Sequence, residues 1–174
     1  TELRALNPGM EMFAAMPPLE AKKLLFSLAA TKRRSRRGTY KLGFIDVKKA
    51  YLYAPVRRDV FIKLPAEDAT PGMCGKLVYS LYGTRDAAAN WEQEYTDCLR
   101  SLGFVSGIST PCAFYNKERD VRVVVHGDDF TVLGTETDIQ WLYKGMSERY
   151  SLKMRGILGP DSHDMKEITL SLIH

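Results

Sequence analysis

The sequence predicts an α+β fold in which an antiparallel sheet carries helices packed on one face. Three features lead there. Val123-Val124-Val125-His126-Gly127-Asp128-Asp129-Phe130-Thr131-Val132-Leu133 reads as two apolar strands joined by a tight turn, and such a hairpin is antiparallel by construction. Ala88, Trp91, Tyr95, Cys98, Leu99 and Leu102 fall on one helical stripe, which Gly103 closes. Tyr40 to Asp46 reads as a short strand ending in a carboxylate. A doubly wound parallel sheet has no place for the hairpin.

Taken in order, Pro17-Pro18 opens a helix with Leu24, Leu25, Leu28 and Ala29 on one face, proline being well suited to a first turn. The basic run from Lys32 to Gly38 ends it, and the Asp46 strand follows. Val60 to Leu64 reads as a strand stopped by Pro65; residues 66–75 form a loop, and Lys76 to Tyr79 form a further strand. The helix of the apolar stripe starts after Thr84. Ala113-Phe114-Tyr115 pairs with, or flanks, Val121 to Val125. Thr137-Asp138-Ile139-Gln140 has capping-box spacing and starts a helix through Ile139, Leu142, Tyr143 and Met146 to about Tyr150. Ile168 to Ile173 is a final strand candidate.

A chain of 174 residues with 45% hydrophobic content can bury one sizeable core, so residues 1–174 are expected to form a single domain. No run approaches the ~18 apolar residues of a membrane span, and no secretory signal is recognisable. The first residue is Thr, which fits a piece of a longer chain. Cys74, Cys98 and Cys112 are widely spaced, against a disulfide framework or zinc site. They fit a reducing intracellular setting, cytoplasmic or nuclear. The net charge of +4 mildly favours a polyanionic partner.

Asp128 and Asp129 are adjacent carboxylates at the hairpin tip, where each raises the other's pKa. A polar turn is one explanation. The other is a divalent cation between them, since hard oxygen ligands with open positions suit Mg²⁺. Asp46, at the end of a strand far upstream, supplies the third carboxylate. Such a trio is the ligand set of a two-metal site that activates a hydroxyl and stabilises a leaving phosphate oxygen, with ions ~3.5–4 Å apart.

Three stretches carry a resemblance. Asp46-Val47-Lys48-Lys49-Ala50-Tyr51-Leu52-Tyr53 and Ser80-Leu81-Tyr82-Gly83-Thr84-Arg85-Asp86-Ala87-Ala88-Ala89-Asn90-Trp91 are similar to the first and second palm motifs of copia-type LTR retrotransposon reverse transcriptases. His126-Gly127-Asp128-Asp129 occupies the place of that family's Tyr-Val-Asp-Asp. The last stretch is also similar to the Gly-Asp-Asp of viral RNA-dependent RNA polymerases, but Ser-Leu-Tyr-Gly and Trp91 favour the retrotransposon family. The resemblance runs from about Met12 to Pro160.

It implies a polymerase palm-like fold and RNA-directed DNA synthesis, with deoxynucleotides added to a primer 3′ end. Asp46 and Asp128 would bridge Mg²⁺ (or Mn²⁺) and Asp129 would assist. Tyr51 would close the space of a ribose 2′-hydroxyl, the alternative being ordinary strand or core packing. Val47, Lys48, Lys49 and Ala50 would turn backbone N–H groups to a triphosphate. Gly127 enters positive φ freely, which lets the hairpin turn sharply. His126 stands where the family has a primer-seating tyrosine. The implied partners are an RNA or DNA template-primer, deoxynucleoside triphosphates and other segments of a polyprotein. Fingers and thumb are incomplete and RNase H is absent from the matched region, which implies weak or no activity in isolation. A non-enzymatic, retrotransposon-derived nucleic-acid-binding domain and a plain α+β interaction module are the alternatives.

The second motif departs from the family pattern. Thr84-Arg85-Asp86-Ala87-Ala88 replaces Leu-Lys-Gln-Ala-Pro, so Asp86 puts an anion where the resemblance places a nucleotide-contacting glutamine. Asp86 would repel a triphosphate unless Arg85 or a metal compensates; capping the following helix is its simpler use. Trp91 and Tyr95 read as core. Lys32, Arg33, Arg34, Arg36 and Arg37 form a solvated turn, a phosphate-contacting patch or a nuclear-import signal. Asp161, His163 and Asp164 do not amount to a metal site.

Overall fold

The computed structural model describes residues 14, 16–32, 34–35, 37–68 and 70–169. In chain order these form helix α1 (Leu19–Lys32), strands β1 (Arg34–Ser35), β2 (Gly38–Thr39) and β3 (Lys41–Val47), and a 3₁₀ turn (Ala50–Tyr53). Strands β4 (Phe61–Ile62) and β5 (Gly75–Lys76) and helix α2 (Ala87–Ser101) follow. Then come β6 (Val105–Ser106), β7 (Ala113–Asn116), β8 (Val121–His126) and β9 (Asp129–Gly134), and finally helix α3 (Glu136–Ser147) and β10 (Leu152–Leu158). The main sheet has six strands in the order β10-β3-β9-β8-β7-β6, every neighbouring pair antiparallel. The α+β class and the antiparallel sheet are those the sequence predicts.

Side-chain alternation along β3 sorts the core. Ile45 and Val47 point to one face, where they pack with Trp91, Tyr95 and Leu99 of α2 and Ile139, Leu142 and Met146 of α3. Gly43 lies on that face too: a Cβ there would sit 2.6 Å from Ile139 Cγ2, so the bare backbone lets α3 close on the strand. Leu42 and Phe44 point the other way and pack with Leu25 of α1, Val124 and Leu133. Thus α2 and α3 share a face while α1 covers part of the opposite one.

Several expectations shift. Leu24 is 58% exposed, and Leu25 with the partly buried Ala21, Phe26, Leu28 and Ala29 forms the packed side of α1. The strands expected at Val60–Leu64 and Lys76–Tyr79 shrink to β4 and β5, which pair only with each other. Val78 and Tyr79 are left exposed. Helix α3 begins at Glu136 behind Thr135, two residues before the expected cap, because Thr135 Oγ1 accepts the Asp138 amide at 3.3 Å and donates to Asp138 Oδ2 at 2.7 Å. It ends at Ser147, and Tyr150 beyond it is buried, its ring 5.2 Å from that of Trp91. β10 had no counterpart in the expectations: it pairs with β3 along its length, with a bulge between Met154 and Gly156. The strand expected at Ile168 to Ile173 falls mostly outside the described residues; Ile168 packs against the α1-side core. Among the described residues no helix is long and apolar enough to cross a membrane.

Asp138 ties this frame together. Fully buried in α3, its carboxylate accepts from Arg37 Nε and Arg119 Nη1, each at 3.0 Å. Burial alone would raise its pKa, but hydrogen bonds from Thr135, Arg119 and Arg37 outweigh burial and hold it below the ordinary carboxylate value. Asp138→Asn is expected to cost about 2 kcal/mol at pH 7, less than a fully buried pair because both arginines stay partly in water. A depressed folded pKa contributes stability that is present above the unfolded value of about 4 and lost as pH falls through the folded value. Urea unfolding across pH should therefore show the wild-type advantage shrinking below pH ~4.

Candidate active site

Antiparallel pairing of β3 with β9 sets Asp46 directly opposite Asp129, and pairing of β8 with β9 sets His126 opposite Asp129 as well. The turn between them is Gly127-Asp128, with φ +61° at Gly127 and no positive φ at Asp128. That is the pattern of a type II′ hairpin, which takes glycine at its first central position. Two bonds pin the tip to the core. Trp91 Nε1 donates to the Gly127 carbonyl at 2.9 Å, and the Val47 amide donates to the Asp128 carbonyl at 3.0 Å. The expectation of core packing for Trp91 and Tyr95 holds, since both are buried; the indole N–H bond to the hairpin adds a second role to Trp91.

Asp46 and Asp129 share a cation from the chain itself. Arg155 Nη2 donates to Asp46 Oδ1 at 2.5 Å and lies 3.3 Å from Asp129 Oδ1. Lys22 of α1, only 6% exposed, acts electrostatically on Asp129 from the same side. Lys22, Asp129 and Arg155 line one cavity of about 10 Å³. The Asp129 carboxyl is pushed up, first by burial and then by Asp128 and Asp46, against the pull of Arg155 and Lys22. The Arg155 guanidinium is held charged above its usual value, mainly by its bond to Asp46.

Asp128, one residue before Asp129, faces a different neighbourhood. Tyr51 and Tyr82 lie with ring centroids 4.5 Å apart, tilted 40° to one another, and burial followed by the Asp128 charge raises both phenols. Asp128 also acts on Asp129 and Arg155. Tyr51 is half-buried and Tyr82 exposed. Of the segment expected to meet a triphosphate, Val47 and Ala50 are buried while Lys48 and Lys49 are exposed. The Val47 and Lys48 amides are committed to the carbonyls of Asp128 and Ser151. Lys49 adopts φ +56°, left-handed for a residue with a Cβ, a conformation that concentrates at ligand sites.

Asp86 sits at the N-cap position of α2 but makes no side-chain cap bond. Its buried carboxylate meets Arg58 Nη2 at 3.0 Å and accepts from Asn90 Nδ2 at 3.1 Å. So Arg58 compensates this anion by direct contact, and Arg85 is exposed. In the basic run, α1 ends at Lys32, Arg34 is exposed, and Arg37 is engaged by Asp138; Arg33 and Arg36 lie outside the described residues. Among the described residues, the group of potential ligands lying within 4.8 Å of one another is Glu136, Asp161, His163 and Asp164, not the three aspartates. That group surrounds the buried Lys41 ammonium, which reaches Glu136 at 2.7, Asp161 at 2.8 and Asp164 at 2.7 Å. It is an ion-pair cluster already holding its cation. Arg155, Lys22 and Arg58 escape sequence reasoning, because each lies at least 26 positions from the carboxylate it acts on; the alternation of Leu152, Met154 and Leu158 is the one signal that marks β10.

A family model described as reverse transcriptase (RNA-dependent DNA polymerase) matches residues 7–160, and the chain belongs to that family. Within it, the chain is a diverged, partial reverse transcriptase of the copia type. It is 22% identical over 153 residues to the retrovirus-related Pol polyprotein from transposon TNT 1-94 of Nicotiana tabacum, covering 84% of this chain and 11% of that one. The Pol polyprotein from transposon RE1 of Arabidopsis thaliana is 28% identical over 115 residues, 63% of this chain and 8% of its own. The Ty1-BL Gag-Pol polyprotein of Saccharomyces cerevisiae is 27% identical over 94 residues, 53% of this chain and 5% of its own. The chain therefore spans about a tenth or less of these relatives.

Trp91→Phe keeps an aromatic ring in the core but removes the donor to Gly127. A loss of about 2 kcal/mol is expected from the bond and the vacated volume. Hydrogen exchange should show the largest loss of protection at the hairpin, residues 126–129, rather than at β7.

Proposed function

We propose that this chain is the palm of a reverse transcriptase, one unit whose chemistry is metal-dependent addition of deoxynucleotides to the 3′ end of a primer on an RNA or DNA template. The observation that carries the reading is the register that opposes Asp46 and Asp129 around a shared cation, with Asp128 next in the chain. The donor chemistry fits divalent ions: all three are hard carboxylate oxygens, and the position between Asp46 and Asp129 already holds a positive charge. Asp46, Asp128 and Asp129 would hold Mg²⁺ (or Mn²⁺), which when bound activates the attacking hydroxyl and stabilises the leaving phosphate oxygen.

The remaining residues bind and orient. Tyr51, braced by Tyr82, closes the space beside the sugar and selects deoxynucleotides. The exposed Lys48, Lys49 and Arg85 and the amides of the Lys49–Ala50 turn face the triphosphate. His126, opposite Asp129, contacts the primer end beside the Gly127 turn. Lys32, Arg33, Arg34 and Arg36 add sequence-independent phosphate contacts, while Arg37 is occupied by Asp138. Further segments of a polyprotein would supply the rest of the grip on template and nucleotide.

A second reading, nucleic-acid binding without catalysis, draws on the same Arg155 contact, which neutralises the carboxylates without any metal. Primer extension with Mg²⁺ or Mn²⁺ separates the two. Incorporation that falls roughly 100-fold or more in Asp46→Asn and Asp128→Asn supports the polymerase. Salt-sensitive binding with no incorporation, unchanged in both variants, selects the second reading.

A further inference from the structure

We infer that Arg155, backed by Lys22 on the Asp129 side, forms a resident cationic plug on the Asp46–Asp129 pair, which a divalent ion must displace to bind. This rests on the assignment of those aspartates as metal ligands. Three observations converge. Arg155 touches both carboxylates, at 2.5 and 3.3 Å, and so takes the position a shared cation would take. Lys22 approaches from α1, an element separate from Arg155's strand, and is buried at 6% exposure among the apolar residues that seat α1 on the sheet. The cavity that Lys22, Asp129 and Arg155 line holds about 10 Å³, no more than roughly one water. While the guanidinium bridges Asp46 and Asp129, their shared position is taken, so a Mg²⁺ ion can engage both carboxylates only after Arg155 moves.

The arrangement has a physical use. Unplugged and metal-free, two carboxylates would face each other across neighbouring strands with Asp128 beside them, and their repulsion would work against the pairing of β3 with β9. The plug offsets the charge of the Asp46–Asp129 pair and keeps the strands in register before metal and nucleotide arrive. The cost is affinity: metal binds only the fraction of molecules in which the arginine has swung away, and the apparent dissociation constant rises accordingly. Arg155 has a path out, because it is one-third exposed on an edge strand next to a bulge.

The test is Mn²⁺ uptake by the whole chain, read from the free-ion electron paramagnetic resonance signal, with Arg155→Leu, Lys22→Met and Asp46→Asn compared to wild type. Arg155→Leu is expected to bind Mn²⁺ about two- to fivefold more tightly, the gain that loss of a partly exposed ion pair predicts, and to melt at lower temperature without metal. Equal or weaker binding by folded Arg155→Leu, with binding abolished in Asp46→Asn, overturns the plug but leaves the metal assignment standing. Binding untouched by Asp46→Asn, or no uptake by wild type and Arg155→Leu alike, overturns both. Should Arg155→Leu fail to fold, the guanidinium ¹⁵N resonance of Arg155 in the unaltered chain decides: it moves as Mg²⁺ saturates if the plug is displaced, and a stationary resonance overturns the idea.

Discussion

Two carboxylates held face to face are the constraint around which this end of the molecule is organised. Cross-strand neighbours stand about 5 Å apart, and two unit charges at that distance repel by about 3 kcal/mol in the effective dielectric of a protein surface. That is a large share of the stability of a small domain. Asp46 and Asp129 cannot move apart, because their backbones are locked in one ladder that continues without interruption back to Lys41 and Gly134. The charge has to be met instead, and Arg155 meets it from the strand on the other side of β3. The bulge between Met154 and Gly156 falls at this residue, where a regular ladder would continue its strict alternation.

The rest of the sheet keeps this end rigid. Val123, Val124 and Val125 are all buried, a run without alternation, because β8 is covered by α2 and α3 on one face and α1 on the other. The aromatic group of Trp91, Tyr95, Phe130 and Tyr150 packs edge to face beneath the hairpin, at centroid distances from 5.2 to 6.5 Å. From within that group the indole N–H reaches the turn carbonyl, so the turn is anchored from below. A second ion cluster, around Lys41 at the far end of β3, joins that strand to the start of α3 and to the loop after β10.

The chain's own letters were enough for the class of fold, the hairpin with its aspartates, the strand-end Asp46 and the helical stripe of α2, because each is a local pattern: a turn that needs glycine, an alternation, a 3.6-residue period. They were also enough for the family, since its motifs are contiguous. What they left open depended on which distant segments meet. Thr135 rather than Thr137 caps α3 because Asp138 is drawn inward by Arg37 and Arg119. Asp86 pairs with Arg58 instead of capping its helix. Leu24 faces outward because the sheet selects a different side of α1. Above all, β10 and its Arg155 join the site only through pairing with β3 across more than a hundred residues. Ion pairs of this kind have no period and no fixed spacing, so only the folded backbone determines which cation meets which carboxylate.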